Sequence, residues 1–89
     1  MMSIYKTAIR DARTACASFR IGQLSIEALV AAIWSASQQI VSSEETALRG
    51  FLMSAAGEID VMSFTVDDVR LFDEALAVVS RVEARLTDE

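Results

Sequence analysis

Apolar residues recur at intervals of three and four along most of the chain, a spacing that places side chains on one face of an α-helix. The first such stretch covers about residues 3–21, and Gly22 follows it where a left-handed C-terminal cap favours glycine. A second stretch begins at Ser25, a favourable N-cap residue, and ends at Val41. The two apolar stripes consist of Ile4, Ala8, Ala12, Ala15, Cys16 and Phe19, and of Ile26, Leu29, Val30, Ile33, Trp34 and Ile40.

The second half of the chain carries two further helix-start signals. Ser42 and Glu45 match the S-x-x-E capping box and predict the start of a third helix, which Gly57 would end. Residues 58–64 then form a predicted connector packed against the helices. Thr65 is the predicted N-cap of a fourth helix, with Asp68 as an acidic variant of the capping box. The expected stripes are Ala47, Leu48, Phe51, Leu52 and Ala55, and then Val69, Phe72, Leu76, Val79 and Leu86.

These elements predict an all-α protein. No segment alternates between apolar and polar residues in the manner of a strand bounded by turns, and the chain contains neither Pro nor Asn. Short connections favour antiparallel neighbours. We therefore expect a compact antiparallel four-helix bundle that residues 1–89 form as a single helical domain.

The composition excludes several kinds of active site. The chain has no His, which removes His-containing triads and His metal ligands. Its single cysteine, Cys16, permits no intramolecular disulfide, and its place on an apolar face predicts a buried, inert thiol. Three glycines do not suffice for a phosphate-binding loop. We expect a protein that is not an enzyme and that has no cofactor and no metal site.

The N-terminal residues and the longest apolar stretch bear on localisation. Lys6, Arg10, Asp11 and Arg13 interrupt the N-terminal segment, which therefore lacks the apolar core of a secretory signal. The longest uncharged run, residues 28–43, contains four Ser and two Gln and is too short to span a bilayer. These features predict a cytoplasmic protein with no membrane partner.

Charge is distributed unevenly along the chain, which has a net charge of −5. Residues 1–24 carry +3 and residues 25–89 carry −8. The acidic part repels phosphate backbones, so nucleic acid is not an expected partner, and it attracts basic protein surfaces. The candidate partner-binding residues are Glu58, Asp60, Asp67, Asp68, Asp73 and Glu74.

A structural role competes with partner binding for these carboxylates. Asp67 and Asp68 would stabilise the dipole of the fourth helix, while Asp73 and Glu74 would solvate its outer face, with Arg70 pairing Glu74 at i, i+4. Only the acids of the predicted connector, Glu58 and Asp60, have no helix start to stabilise. For those two, both interpretations stay open.

Three segments of the chain follow a recognisable arrangement. They are Phe19-Arg20-Ile21-Gly22-Gln23-Leu24-Ser25-Ile26-Glu27, then Leu52-Met53-Ser54-Ala55-Ala56-Gly57-Glu58-Ile59-Asp60, then Val66-Asp67-Asp68-Val69-Arg70. This arrangement resembles the colicin D immunity family of bacterial toxin-immunity proteins. The resemblance implies a small helical protein that neutralises a tRNA-cleaving toxin nuclease by covering its basic active site with acidic residues. The positions that match the family's acidic stretch are Glu58, Asp60, Asp67 and Asp68.

Two other functions remain open. The apolar content of this short chain is compatible with a self-associating homodimer, paired through a surface around Trp34, Ile40 and Phe51. Trp34 is an interface candidate, although its place on the stripe favours a core or half-core position. A regulatory adaptor could instead use the basic N-terminal helix, with Lys6, Arg10, Arg13 and Arg20, to bind an acidic partner.

Overall fold

A computed structural model describes residues 5–41 and 45–87, which form four α-helices. The helices are α1 (Lys6–Arg20), α2 (Ile26–Gln39), α3 (Thr46–Thr65) and α4 (Asp68–Thr87). The predicted all-α four-helix bundle is confirmed. In the part of the chain that the structure describes, no helix combines the length and apolar character needed to cross a membrane.

The turn between α1 and α2 follows the predicted capping residues. Gly22 has a φ of +77°. Its N–H donates to the Phe19 carbonyl at 3.0 Å, and the Gln23 N–H donates to the Ser18 carbonyl at 2.8 Å. This pair of bonds is the Schellman arrangement. Ser25 then caps α2, because its hydroxyl oxygen accepts a hydrogen bond from the Ala28 N–H at 3.1 Å.

The predicted connector at residues 58–64 is wrong, because α3 continues through Gly57 as far as Thr65. Thr65 is also not the cap of α4. Its hydroxyl donates to the Val61 carbonyl one turn earlier, at 3.0 Å, and thus belongs to the end of α3. The capping box at the start of α3 stays a prediction, because Ser42 lies outside the described residues.

The four helices enclose a single apolar core. α2 packs against α1 and α3, while α4 packs against α3 and α1, so that the fourth helix closes the bundle. Between α1 and α4, the rings of Phe19 and Phe72 lie with their centroids 5.1 Å apart. The largest fully buried apolar side chains are Leu29, Ile33, Ile40, Leu48, Leu52, Ile59, Val78, Val79, Val82 and Leu86.

Val69 and Trp34 are the most exposed of the described large apolar residues that the sequence placed on stripes. Val69 is 91% exposed, because the apolar stripe of α4 is progressively uncovered toward the end of the bundle, where α1 has already ended. Trp34 is 46% exposed, so of the predicted core or half-core position the half-core one is observed, with about half of the side chain covered. Both residues therefore add apolar surface to the outside of the bundle.

Candidate functional site

The structure separates the two acids that the sequence assigned to one connector. Glu58 faces α4, where its Oε1 lies 2.9 Å from Nη2 of Arg81 in an ion pair. Asp60 lines a groove on the other side of α3, between α3 and α2. Two residues along a helix correspond to a rotation of about 200°, which explains why neighbouring acids face different helices. The six candidate acids therefore do not form one continuous cluster.

The other four candidate acids lie at the start of α4. The backbone carbonyl of Asp67 accepts hydrogen bonds from the N–H groups of Arg70 and Leu71, both at 2.9 Å. Asp68 is the first residue of α4, where its charge favours the helix dipole. Oε1 of Glu74 lies 2.9 Å from Nη2 of Arg70, which confirms the predicted i, i+4 pair. These contacts give Glu74 and Asp68 structural roles, while Asp73 remains exposed beside them.

The groove that contains Asp60 lies between α2 and α3. It is lined by Val30 and Trp34 of α2 and by Ala56, Gly57 and Asp60 of α3, and we call these five residues the α2–α3 groove. Its volume is about 240 Å³. The groove thus combines an aromatic ring, a carboxylate and a stretch of backbone without a side chain.

Exposed apolar residues continue from this groove toward the end of α3. Val61 is 58% exposed and Phe64 is 81% exposed. Helical spacing places both on the face that carries Gly57, and it places Phe64 one turn from Asp60. This exposed apolar face was not predicted from the sequence, because residues 58–64 were placed in a connector. The signal for it was the i, i+4, i+7 spacing of Gly57, Val61 and Phe64 on a continuous helix.

Two of the four basic residues of α1, Arg10 and Arg13, line a different cleft, between α1 and α4. This cleft has a volume of about 450 Å³ and is lined by Arg10, Arg13, Thr14, Ala17, Glu83 and Thr87. Beside it, the guanidinium of Arg20 donates to Glu83 and to the Ser80 hydroxyl. The hydrogen bond to Glu83 and the charge of that carboxylate raise the pKa of Arg20 above its ordinary value. Arg20 is therefore engaged within the bundle and is not part of a free basic surface.

Two further residues with candidate roles are buried. Cys16 is fully buried, as predicted, and burial raises the pKa of its thiol from 9.0 to about 11, with a smaller contribution from the negative charge of Glu83. Ile40, which the homodimer hypothesis placed on a pairing surface, is also fully buried. Phe51 of that surface is half-buried, with the Arg85 guanidinium 6.0 Å from its ring centroid. Trp34, Ile40 and Phe51 therefore do not form one exposed surface of the kind that the homodimer hypothesis predicted.

Within residues 5–41 and 45–87, no three or more Asp, Glu or Cys side chains are grouped so that they could hold a metal ion. Comparisons of the chain with protein-family models, with curated proteins and with solved structures find no match. The resemblance to colicin D immunity proteins accordingly stays a hypothesis.

Proposed function

We propose that the protein is a binding module that neutralises a basic protein partner by covering its active site, with a bacterial toxin nuclease domain as the partner. The observation that carries this proposal is the exposed face of α3. On that face Val61 and Phe64 are exposed, and Phe64 lies one helical turn from Asp60, whose groove also contains the half-exposed Trp34. Large apolar side chains grouped on a protein surface mark interaction sites.

The composition of this face resembles that of a protein–protein interface. Such interfaces have an apolar centre, often with an aromatic residue, and a polar rim that excludes water. Trp34 and Phe64 supply apolar anchors, and the acids at the start of α4 supply a charged rim. A nuclease must hold phosphates, so its active site is positively charged and attracts a surface of this kind.

The candidate acids contribute unequally under this proposal. Asp60 is placed to contact a partner directly, because it lies in the groove among apolar residues. Glu58 is already paired with Arg81, so a partner would gain less from its charge. Asp67, Asp68, Asp73 and Glu74 favour the approach of a basic protein through their combined field. Charges of this rim type increase association rates more than they slow dissociation.

A homodimer built on the same face is disfavoured by charge. In a two-fold dimer the same patch lies on both subunits, so Asp60 and the acids at the start of α4 would be brought close to the same set of acids on the second copy. Like charges in contact oppose association. A basic partner satisfies the same carboxylates, and this difference favours a heterologous complex.

A growth assay tests the proposal. The protein is co-expressed with the C-terminal domain of a large secreted protein encoded directly upstream of its gene. We expect rescue from toxicity, loss of rescue in Asp60→Arg and Phe64→Ser, and retained rescue in the matched control Asp11→Arg on α1. Toxicity without rescue by the unchanged protein would contradict the proposal. A dimer in sedimentation that Phe64→Ser converts to monomer would favour self-association instead.

A further inference from the structure

The carboxylate of Asp60 is one of the groups that line the α2–α3 groove. Among residues 5–41 and 45–87, no cation forms an ion pair with this carboxylate, whereas Glu58, Glu74 and Glu83 each pair with an arginine. The indole of Trp34 lies across the same groove and is 46% exposed. An aromatic face and a free carboxylate in one groove are the two groups that recognise a planar cation.

Gly57 lines the groove, and in the part of the chain that the structure describes no neighbouring atom requires a glycine there. It lies inside α3, where glycine is unfavourable for helix formation, and it does not adopt a positive φ. A Cβ atom built at this position would meet nothing within 4 Å. The missing side chain therefore widens the groove between Trp34 and Asp60 without serving the packing of the bundle.

From these observations we propose that the α2–α3 groove binds an arginine side chain of the partner protein. The guanidinium stacks on Trp34 and pairs with Asp60, and Gly57 lets the arginine approach the backbone of α3. The volume of about 240 Å³ is below the roughly 300–1,000 Å³ typical of small-molecule sites, which favours a single side chain as the occupant. This inference rests on the proposed protein-binding function and specifies an arginine side chain as the group that the groove recognises.

The groove distinguishes arginine from lysine. Guanidinium is planar, stacks on aromatic faces and is weakly hydrated, whereas the lysine ammonium is a compact and strongly hydrated charge. Both cations pair with a carboxylate, but the planar guanidinium of arginine is better suited to stack on Trp34 while it pairs with Asp60. A partner loop that presents arginine among other basic residues should therefore bind here more tightly than one that presents lysine.

Peptide titration of the isolated protein provides a direct test. Trp34 is the only tryptophan in the chain, so its fluorescence reports on the groove without labelling. The probes are two blocked peptides of equal charge, hexa-arginine and hexa-lysine. We expect a saturable change in Trp34 emission with hexa-arginine, and binding of hexa-lysine that is about five-fold weaker because stacking is lost. Equal affinity for the two peptides would overturn the inference.

Two pairs of variants locate the binding. Asp60→Asn and Asp73→Asn remove the same charge, and we expect about ten-fold weaker hexa-arginine binding only in the first, because it removes a charge-assisted pair. Gly57→Ala and Gly50→Ala make the same change inside α3, and both should raise the melting temperature. Only Gly57→Ala should weaken the binding of hexa-arginine, because Gly50 does not line the groove. Equal losses within either pair would indicate diffuse acidic attraction and contradict a specific site.

Three further results would bear on this inference and on the proposed function in different ways. If Trp34 emission changed with protein concentration and sedimentation showed a dimer, the occupant would be a second copy of the chain, and the inference would be wrong. If the growth assay showed rescue that depends on Asp60 while the two peptides bound equally, the protein-binding function would stand without the arginine site. If hexa-arginine bound as expected without any rescue, the site would stand and the immunity function would fail.

Discussion

Glu58 and Asp60 lie on different sides of α3, although a single residue separates them in the chain. Glu58 is joined to Arg81 of α4 by an ion pair of 2.9 Å, and Asp60 faces α2 across a groove lined by Trp34. The same helix thus carries one carboxylate that contacts a neighbouring helix and another that is open to a partner. Changes at the two positions should therefore have different consequences.

We expect Glu58→Gln to lower the free energy of unfolding by less than about 1 kcal/mol, because exposed ion pairs contribute little in water. Binding of the partner or of hexa-arginine should be nearly unchanged. Asp60→Asn should leave stability unchanged and weaken binding. Chemical denaturation and peptide titration of both variants check this contrast. A loss of stability in Asp60→Asn equal to that in Glu58→Gln would show that Asp60 has a partner within the fold.

Because α3 continues through Gly57, we expect Ile59 and Val61 to contribute unequally to stability. Ile59 is fully buried, whereas Val61 is 58% exposed on the opposite side of the helix. Ile59→Ala should destabilise the protein by about 2–5 kcal/mol, because it leaves a cavity in the core. Val61→Ala should change stability by less than about 0.5 kcal/mol. Thermal and urea unfolding of the two variants provide the measurement, and similar losses at both positions would indicate an irregular connector.

The apolar spacing of the sequence indicates the full length of α3, but Gly57 was interpreted as the end of the helix. Leu48, Leu52, Ala55 and Ile59 are all buried and keep intervals of three and four across Gly57. Glycine inside a helix costs only about 1 kcal/mol relative to alanine. Full burial of a side chain such as Ile59 contributes about 1.5–3 kcal/mol, so apolar periodicity outweighs the glycine. The continuing stripe was therefore the better guide to the end of α3.

The binding face was harder to predict because it depends on which helices are neighbours. Helical spacing alone places Asp60 and Glu58 on different sides of α3, but it does not say which side meets α2 and which meets α4. The exposure of Val69 likewise follows from where α1 ends, not from the α4 pattern. The signals that were read correctly are local ones, such as Ser25 as the cap of α2 and Gly22 after α1.

Gly22 and Gly50 should respond in opposite directions to the same substitution. Gly22→Ala should destabilise the protein by about 1 kcal/mol, because an L-residue with a Cβ is strained at a φ of +77°. Gly50→Ala should stabilise it by up to about 1 kcal/mol, because Gly50 lies inside α3 with open space around the new methyl group. Urea denaturation midpoints of both variants test this. A stabilising Gly22→Ala would show that the Schellman turn does not form in solution.

The buried thiol of Cys16 should make stability depend on pH in the alkaline range. Burial raises its pKa from 9.0 to about 11, so the folded state holds this proton more tightly than the unfolded state does. The resulting stabilisation is complete below pH 9.0 and is lost as the pH rises toward 11. The charge of Glu83 acts in the same direction as burial, and that of Arg20 acts against it.

Urea unfolding of the native protein and of Cys16→Ala at a series of pH values measures the effect. The rest of the chain is the same in both proteins, so the contribution of Cys16 is the difference between the two slopes. We expect a smaller alkaline loss of stability in Cys16→Ala, whereas parallel curves would mean that the thiol reaches solvent in the folded state.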